Sequence, residues 1–252
     1  MNRRRFIKRF SNDLLDLGVR PGGLLLVHSS LKSLGRVPDG EETVIRGLLA
    51  TLGECGTLLM PALTYASVRP NRPIFDVRKT RSCVGAIPEY FRLRKGTRRS
   101  FHPTHSVCGI GPLVDELFPP HKDDTTPCGQ NSPFHRLPEF NGQIIMLGCG
   151  LRPNTSMHAI EEVAQAPYLL NPPITYTLTD EDGSTFQKQY SPHNFHGWMQ
   201  RYDRVADILA EPALRCGKVV EAGAHLIEAR ELWDQVLFHI KQEPYFFVEK
   251  IY

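Results

Sequence analysis

No stretch of the 252-residue chain approaches the ~18 consecutive apolar residues of a membrane-spanning helix. The basic opening, Met1 to Arg9, runs into Ser11, Asn12, Asp13 and Asp16, so it lacks the uninterrupted apolar core of a secretory signal. These two absences predict a cytoplasmic protein without a membrane partner. The six cysteines (Cys55, Cys83, Cys108, Cys128, Cys149 and Cys216) form no C-x-x-C pair. That spacing excludes a zinc ribbon and a dense disulfide framework, and predicts reduced, mostly buried thiols. There is no P-loop and no G-x-S-x-G nucleophile turn. Gly148-x-Gly150 follows an apolar run, but Pro153 stands where a dinucleotide-binding turn needs its third glycine. Charge of one sign is also scarce. A formal net charge of +3 is too small to suggest a nucleic-acid partner and only mildly favours anionic ligands.

What is present is a chain that is 41% hydrophobic and 23% charged, the balance of a folded protein with a large core. Phe6-Ile7, Phe10, Leu14-Leu15 and Leu17 recur at helical spacing and stop at Gly18. The apolar run Leu24 to Val27 then reads as a strand buried on both faces. A helix at about Glu41 to Leu52 and a second buried strand, Thr57 to Met60, follow. Thr64 to Ser82 is irregular and can form one wall of a cleft. Val84 to Arg94 and Pro112 to Phe118 read as helical. Gln143 to Leu147 is a third apolar strand, leading through Gly148-Cys149-Gly150 into a helix at about Ser156 to Gln165. Ile174 to Thr179 and Thr185 to Tyr190 flank Asp182-Gly183, a hairpin signal. Arg201 to Leu209 and Ala224 to Ile240 read as helices, with Lys218 to Val220 a short strand between them.

The order predicts an α/β fold with a mixed central sheet flanked by helices and a smaller second lobe. The expected organisation is one domain, 1–252, of two lobes. Residues 1–170 form the core, 171–215 a hairpin and helix lobe, and 216–252 a strand and helix that return to the core.

His158 and Glu161 lie three residues apart on one helix face, the spacing of a base and the carboxylate that orients it. The same spacing occurs in ordinary surface pairs. What favours chemistry is the position after a strand and a Gly-x-Gly turn, where an open α/β sheet places ligands. Thr155 is the expected helix cap. His102, His105 and Cys108 raise the question of a three-ligand zinc site. Pro103 opposes a regular helix presenting all three, and no distant pair completes the shell, so no metal is assigned. Val27-His28-Ser29-Ser30 ends the first strand on hydroxyl side chains, which suits either a polar ligand or a simple turn.

Ordered blocks then run along nearly the whole chain. They are Val27-His28-Ser29-Ser30-Leu31 with Leu34-Gly35; Gly53-x-x-Gly56-Thr57-Leu58-Leu59-Met60-Pro61; Gly85-x-Ile87-Pro88-Glu89-x-Phe91-Arg92; Arg99-Ser100-x-His102-Pro103-x-x-Ser106; and Ser132-Pro133, then Asn154-Thr155-Ser156-x-His158-x-x-Glu161. The series resembles the aminoglycoside 3-N-acetyltransferase family. That resemblance implies an acyltransferase that passes acetyl from acetyl-coenzyme A directly to an amine of an aminosugar, with His158 as general base and Glu161 as its partner. It implies a cofactor channel lined by His28, Ser29, Ser30, Leu31, His102, Ser106 and Thr155, and no metal. Such an enzyme would work as a monomer or homodimer on a small-molecule amine, in antibiotic resistance or in biosynthesis. The alternatives left open are a nucleotide-linked amino sugar as acceptor and a non-catalytic relative that binds coenzyme A.

Overall fold

A computed structural model describes residues 2–251. In chain order the elements are helix α1 (Arg3–Leu17), strand β1 (Leu24–Ser29), α2 (Glu41–Leu52), β2 (Thr57–Pro61), β3 (Ile74–Asp76), α3 (Ala86–Leu93), β4 (Arg98–Arg99) and β5 (Val107–Ile110). Two short helices, α4 (Val114–Leu117) and α5 (Pro133–Arg136), precede β6 (Gln143–Leu147) and α6 (Ser156–Val163). Then come β7 (Ile174–Thr179), β8 (Thr185–Tyr190), β9 (Trp198–Gln200), α7 (Val205–Ile208), β10 (Leu214–Val219), β11 (Ala222–Glu228), α8 (Ala229–Gln242) and β12 (Val248–Lys250).

The main sheet has seven strands in the order β10-β11-β6-β1-β2-β5-β4. Its centre, β6-β1-β2, is parallel. The flanks are antiparallel, β11 on β6 and β5 on β2. This is the mixed, helix-flanked sheet that the sequence predicts. The unbroken apolar runs have a simple cause, because alternate side chains of one strand enter two different cores. In β1, Leu24 and Leu26 face one core while Leu25 and Val27 face the other. In β6, Ile144 and Met146 divide from Ile145 and Leu147 in the same way. The second core is closed by α1, α2 and α3 through residues such as Phe6, Phe10, Val44, Ile45 and Phe91. The first is closed by α6 and α8 through Met157, Ile160, Leu232 and Val236.

A smaller sheet, β3-β7-β8, carries its own apolar cluster around Phe75, Phe101, Tyr176 and Tyr190. The irregular segment of 64–82 thus supplies a strand, β3, which pairs in parallel with β7. Strands β9 and β12 form a third, two-stranded sheet.

Several expectations need correction. Ala224 to Ile240 is not one helix: the chain runs as β11 to Glu228 and turns helical only at Ala229. Leu226 and Ile227 enter opposite cores, so pairing with β6 overrides the helical preference of an alanine-rich stretch. The short strand expected at Lys218 to Val220 begins earlier, at Leu214. Arg201 to Leu209 holds only a single 3-10 turn and the four-residue α7. Strand β5 was missed, because its four residues were read as the tail of a histidine-rich segment. Only Cys108 and Cys128 are buried, whereas Cys55, Cys83 and Cys216 are exposed. Those three fall in a turn, a loop and the edge strand β10, where only part of each side chain can be covered. Among the described residues no helix is long and apolar enough to cross a membrane.

Candidate active site

The carboxyl ends of β1 and β6 point to the same place. At Gly148 the chain leaves β6 with φ of 73°, and a Cβ there would lie 2.4 Å from Cβ of Ser33. Glycine therefore lets the turn after β1 close on the turn after β6. Ser33 Oγ donates to the Gly148 carbonyl at 2.7 Å and lies 3.1 Å from Ser30 Oγ, from which it can accept, fastening the two turns together. Beside this junction lies a narrow cavity of about 80 Å³ walled by Val27, His28, Ser29, Pro61, Val84, Pro88, Cys149 and Pro153. Two of its polar atoms, His28 Nε2 and Ser29 Oγ, have no hydrogen-bond partner within the protein.

Helix α6 starts just beyond. Thr155 stands at the cap position but has helical torsions and makes no capping bond, contrary to expectation. Asn154 takes that role, its Oδ1 accepting from the Ser156 N–H at 3.1 Å. One turn on, His158 Nδ1 lies 3.0 Å from Glu161 Oε2. Glu161 is wholly buried, and a buried carboxylate is stable only when its lone pairs are filled. Tyr202 Oη donates to Oε2 at 2.7 Å and Tyr168 Oη donates to Oε1 at 2.8 Å. Burial, followed by the neighbouring Glu161, holds both phenols above the ordinary tyrosine range, so they remain donors. Tyr202 Oη also lies 2.9 Å from His158 Nδ1. This arrangement makes Nδ1 the protonated ring nitrogen and leaves Nε2 as the acceptor.

Other histidines crowd the same ring. The centroid of His193 is 4.4 Å from that of His158, and the centroid of His105 is 5.9 Å away. Burial, with His158 second, depresses both His105 and His193 well below the usual imidazole range. The same two causes take His28 down to about 3. All three are neutral near pH 7. Phe195, centred 5.3 Å from His158, and Tyr65, 53% exposed and centred 6.5 Å from His105, extend the wall. Glu162 faces away from Glu161 and accepts from Thr126 Oγ1 at 2.5 Å and from the Cys128 N–H at 2.7 Å. Burial raises its carboxyl to about 7.

The residues expected to line a cofactor channel separate into two groups. His28 and Ser29 are on the cavity wall, and Ser30, Leu31 and Thr155 belong to the turns around it. His102 and Ser106 are not on it. Both are wholly buried, and His102 Nδ1 and Ser106 Oγ hold backbone. His102 Nδ1 accepts from the N–H groups of Thr104 and His105, at 3.2 and 2.9 Å. Ser106 Oγ donates to the Ala62 carbonyl at 2.9 Å and accepts from Arg99 Nε at 2.9 Å. Arg99 in turn grips the carbonyls of Val77, Thr80 and Ala62, clamping the 62–80 segment over the site. The weighed trio of His102, His105 and Cys108 does not assemble, because Cys108 lies on β5 and enters the opposite core. Sequence reasoning missed Tyr168, Tyr202 and His193. None has a spacing relation to His158; only the clustering of His193, Phe195 and His196 in one short loop hinted at that segment.

The model of a family described as aminoglycoside 3-N-acetyltransferase matches residues 26–239. The chain belongs to that family. It is therefore an acyltransferase. Aminoglycoside N(3)-acetyltransferase IV of Salmonella sp. is 32% identical over 93% of this chain and 87% of its own length. Aminoglycoside N(3)-acetyltransferase VII of Streptomyces paromomycinus is 28% identical over 90% and 88%. Among solved structures, the apoenzyme of aminoglycoside acetyltransferase AAC(3)-IVa superposes with a TM-score of 0.79 at 29% identity, covering 96% of this chain and 90% of that one. The binary complex of AAC-IIIb with CoASH gives 0.81 at 25% identity, covering 96% and 97%.

Proposed function

We propose that this acetyltransferase moves acetyl from acetyl-coenzyme A directly onto an amine of an aminoglycoside, with His158 as the general base. The observation that carries the reading is the buried His158–Glu161 pair, whose carboxylate is held by two tyrosine hydroxyls so that only His158 Nε2 is left to accept a proton. The family's relatives support donor and acceptor alike: one is a complex with CoASH, and others are complexes of AAC(3)-IVa with gentamicin and with apramycin.

A sugar amine is largely protonated near neutrality and attacks a thioester only after losing that proton. His158 takes it, and Glu161 stabilises the imidazolium that forms. The narrow cavity of about 80 Å³ beside β1 suits the slender mercaptoethylamine end of coenzyme A. Ser29 Oγ and His28 Nε2, both unpartnered on its wall, are the polar groups available to the thioester. As the amine nitrogen adds to the carbonyl carbon, negative charge moves to the carbonyl oxygen, and Ser29 or a backbone N–H of the turn after β1 stabilises it. Collapse expels the thiolate of coenzyme A, a good leaving group, and the chemistry calls for no metal.

The test is acetyl transfer to a panel of aminoglycosides and nucleotide-linked amino sugars, followed by thiol release and product mass, with wild type beside His158→Ala. Transfer to aminoglycosides that is lost in the variant supports the reading. Near-normal turnover by His158→Ala would show the base to be another group. Activity confined to the nucleotide-linked sugars would reassign the acceptor.

A further inference from the structure

Three imidazoles converge beside the acid–base pair from three separate parts of the chain. His105 comes from the turn between β4 and β5, His158 from α6, and His193 from the segment after β8. One nitrogen from each lies within 4.8 Å of the other two. The ring centroids of His105 and His193 are 4.6 Å apart, completing the triangle with His158.

Two of the rings have their other side hydrogen-bonded to an oxygen. His158 Nδ1 faces Glu161 Oε2 at 3.0 Å and His105 Nδ1 faces Thr104 Oγ1 at 2.9 Å, while His193 Nε2 stands 3.5 Å from Glu162 Oε1 without a hydrogen bond within the protein. Metal-binding histidines commonly have such an oxygen behind the ring, which fixes its tautomer and raises its basicity.

We propose that His105, His158 and His193 form a binding site for a divalent transition-metal ion of the zinc class, and that a bound ion blocks acetyl transfer by occupying His158. Zinc binds three imidazole nitrogens at about 2.0–2.1 Å and leaves a fourth position for water. Nitrogens on such an ion stand roughly 3.3 Å apart in tetrahedral geometry. Drawing the triangle in from 4.8 Å is within the reach of side-chain rotation. Imidazole donors select zinc, copper and nickel over calcium and magnesium. The buried Glu161 carboxylate just behind His158 favours a dication electrostatically. The ion and a proton compete for one lone pair, so metal binding and base catalysis exclude each other. The blocking effect rests on His158 being the base; the site itself does not.

The test uses Co²⁺ as a spectroscopic probe and Zn²⁺ as its competitor, on the full chain stripped of metal by dialysis against a chelator. One equivalent of Co²⁺ should give intense visible absorption bands, which Zn²⁺ abolishes. In His105→Gln and His193→Gln, each checked for native circular dichroism, affinity should fall by more than about a hundredfold, beyond the loss typical of an outer partner. X-ray absorption of the zinc-loaded wild type should count three imidazoles, a reading independent of whether any variant folds.

Absence of the bands, bands that persist in both variants, or a count of one imidazole or fewer overturns the site. Inhibition is followed by the mass of the acetylated product rather than by free thiol, because the released thiolate itself binds zinc. Zn²⁺ at one equivalent should stop wild-type transfer, and a chelator should restore it. Full turnover with the site filled overturns the blocking role. Should His158→Ala retain turnover while wild type binds Co²⁺, the base assignment fails and the metal site stands.

Discussion

Tyr202 Oη reaches Glu161 Oε2 at 2.7 Å from 41 residues away in sequence, and so ties the segment before α7 to the carboxylate behind His158. The contact fixes which of its two nitrogens His158 offers to a substrate, although Tyr202 itself is wholly buried. Tyr168 does the same for the second oxygen from seven residues away.

Glu161→Gln should lower kcat far more than it changes the KM for acetyl-coenzyme A. An amide in that position can turn its NH2 toward His158 Nδ1 and impose the opposite tautomer, which in a comparable histidine–carboxylate pair costs about 10⁴-fold. Steady-state kinetics with a fixed acceptor will check this, and an unchanged kcat would remove Glu161 from the mechanism.

Tyr202→Phe leaves Glu161 Oε2 with one donor fewer in a dry site. The expected loss is about 1–3 kcal/mol of stability, read as a lower midpoint in urea at an unchanged slope. Adding Tyr168→Phe should cost more than the two single losses together, since both hydroxyls serve one carboxylate.

Acid should unfold the protein partly through His121. Its ring is fully buried, and burial, then Lys188, takes its pKa down to about 3. Between pH 6.5 and about 3 the unfolded chain binds a proton that the folded one refuses, so the stability present above pH 6.5 is lost as pH falls through that window. The slope is at most about 1.4 kcal/mol per pH unit for this one group. His121→Asn keeps an acceptor for the Ser100 hydroxyl, which now lies 2.8 Å from His121 Nδ1, and should make the acid limb shallower. Urea midpoints from pH 4 to 8 will measure it.

Gly47→Ala should destabilise, although alanine normally improves a helix interior by roughly 0.5–1 kcal/mol over glycine. A Cβ at position 47 would sit 2.5 Å from Phe10 Cδ1, where α2 packs on α1. Overpacking costs about 1–3 kcal/mol and wins. Phe10→Leu in the same chain should recover part of the loss; a Gly47→Ala variant more stable than wild type would contradict the close approach.

The central strands and the pairing of His158 with Glu161 were legible because each depends on a local pattern. Leu24 to Val27 and Ile144 to Leu147 are apolar on both faces, and His158 and Glu161 are one helical turn apart. Strand β11 was not legible, since Ala222 to Glu228 becomes a strand only by lying beside β6. The same reason hid Tyr202 and His193, whose roles come from tertiary contacts across 41 and 35 residues. His102 and Ser106 sit in a conspicuous polar block and were expected to line a cofactor channel. In the structure His102 Nδ1 and Ser106 Oγ bond to buried backbone and the Arg99 guanidinium, a demand that leaves the same polar residues in sequence as a binding site does.

Strand β6, which delivers the chain to the site, lies inside the sheet between β1 and β11. Its second neighbour is therefore synthesised some 75 residues after it, and a chain emerging from the ribosome holds β6 with one edge bare until Ala222 to Glu228 arrives. During that interval the row of free N–H and C=O groups beside Ile144, Ile145 and Met146 is a template for pairing with another nascent chain. Truncation before β10 should yield aggregates rather than a smaller soluble protein, and the last hairpin acts in effect as a cover that the fold makes for its own exposed edge.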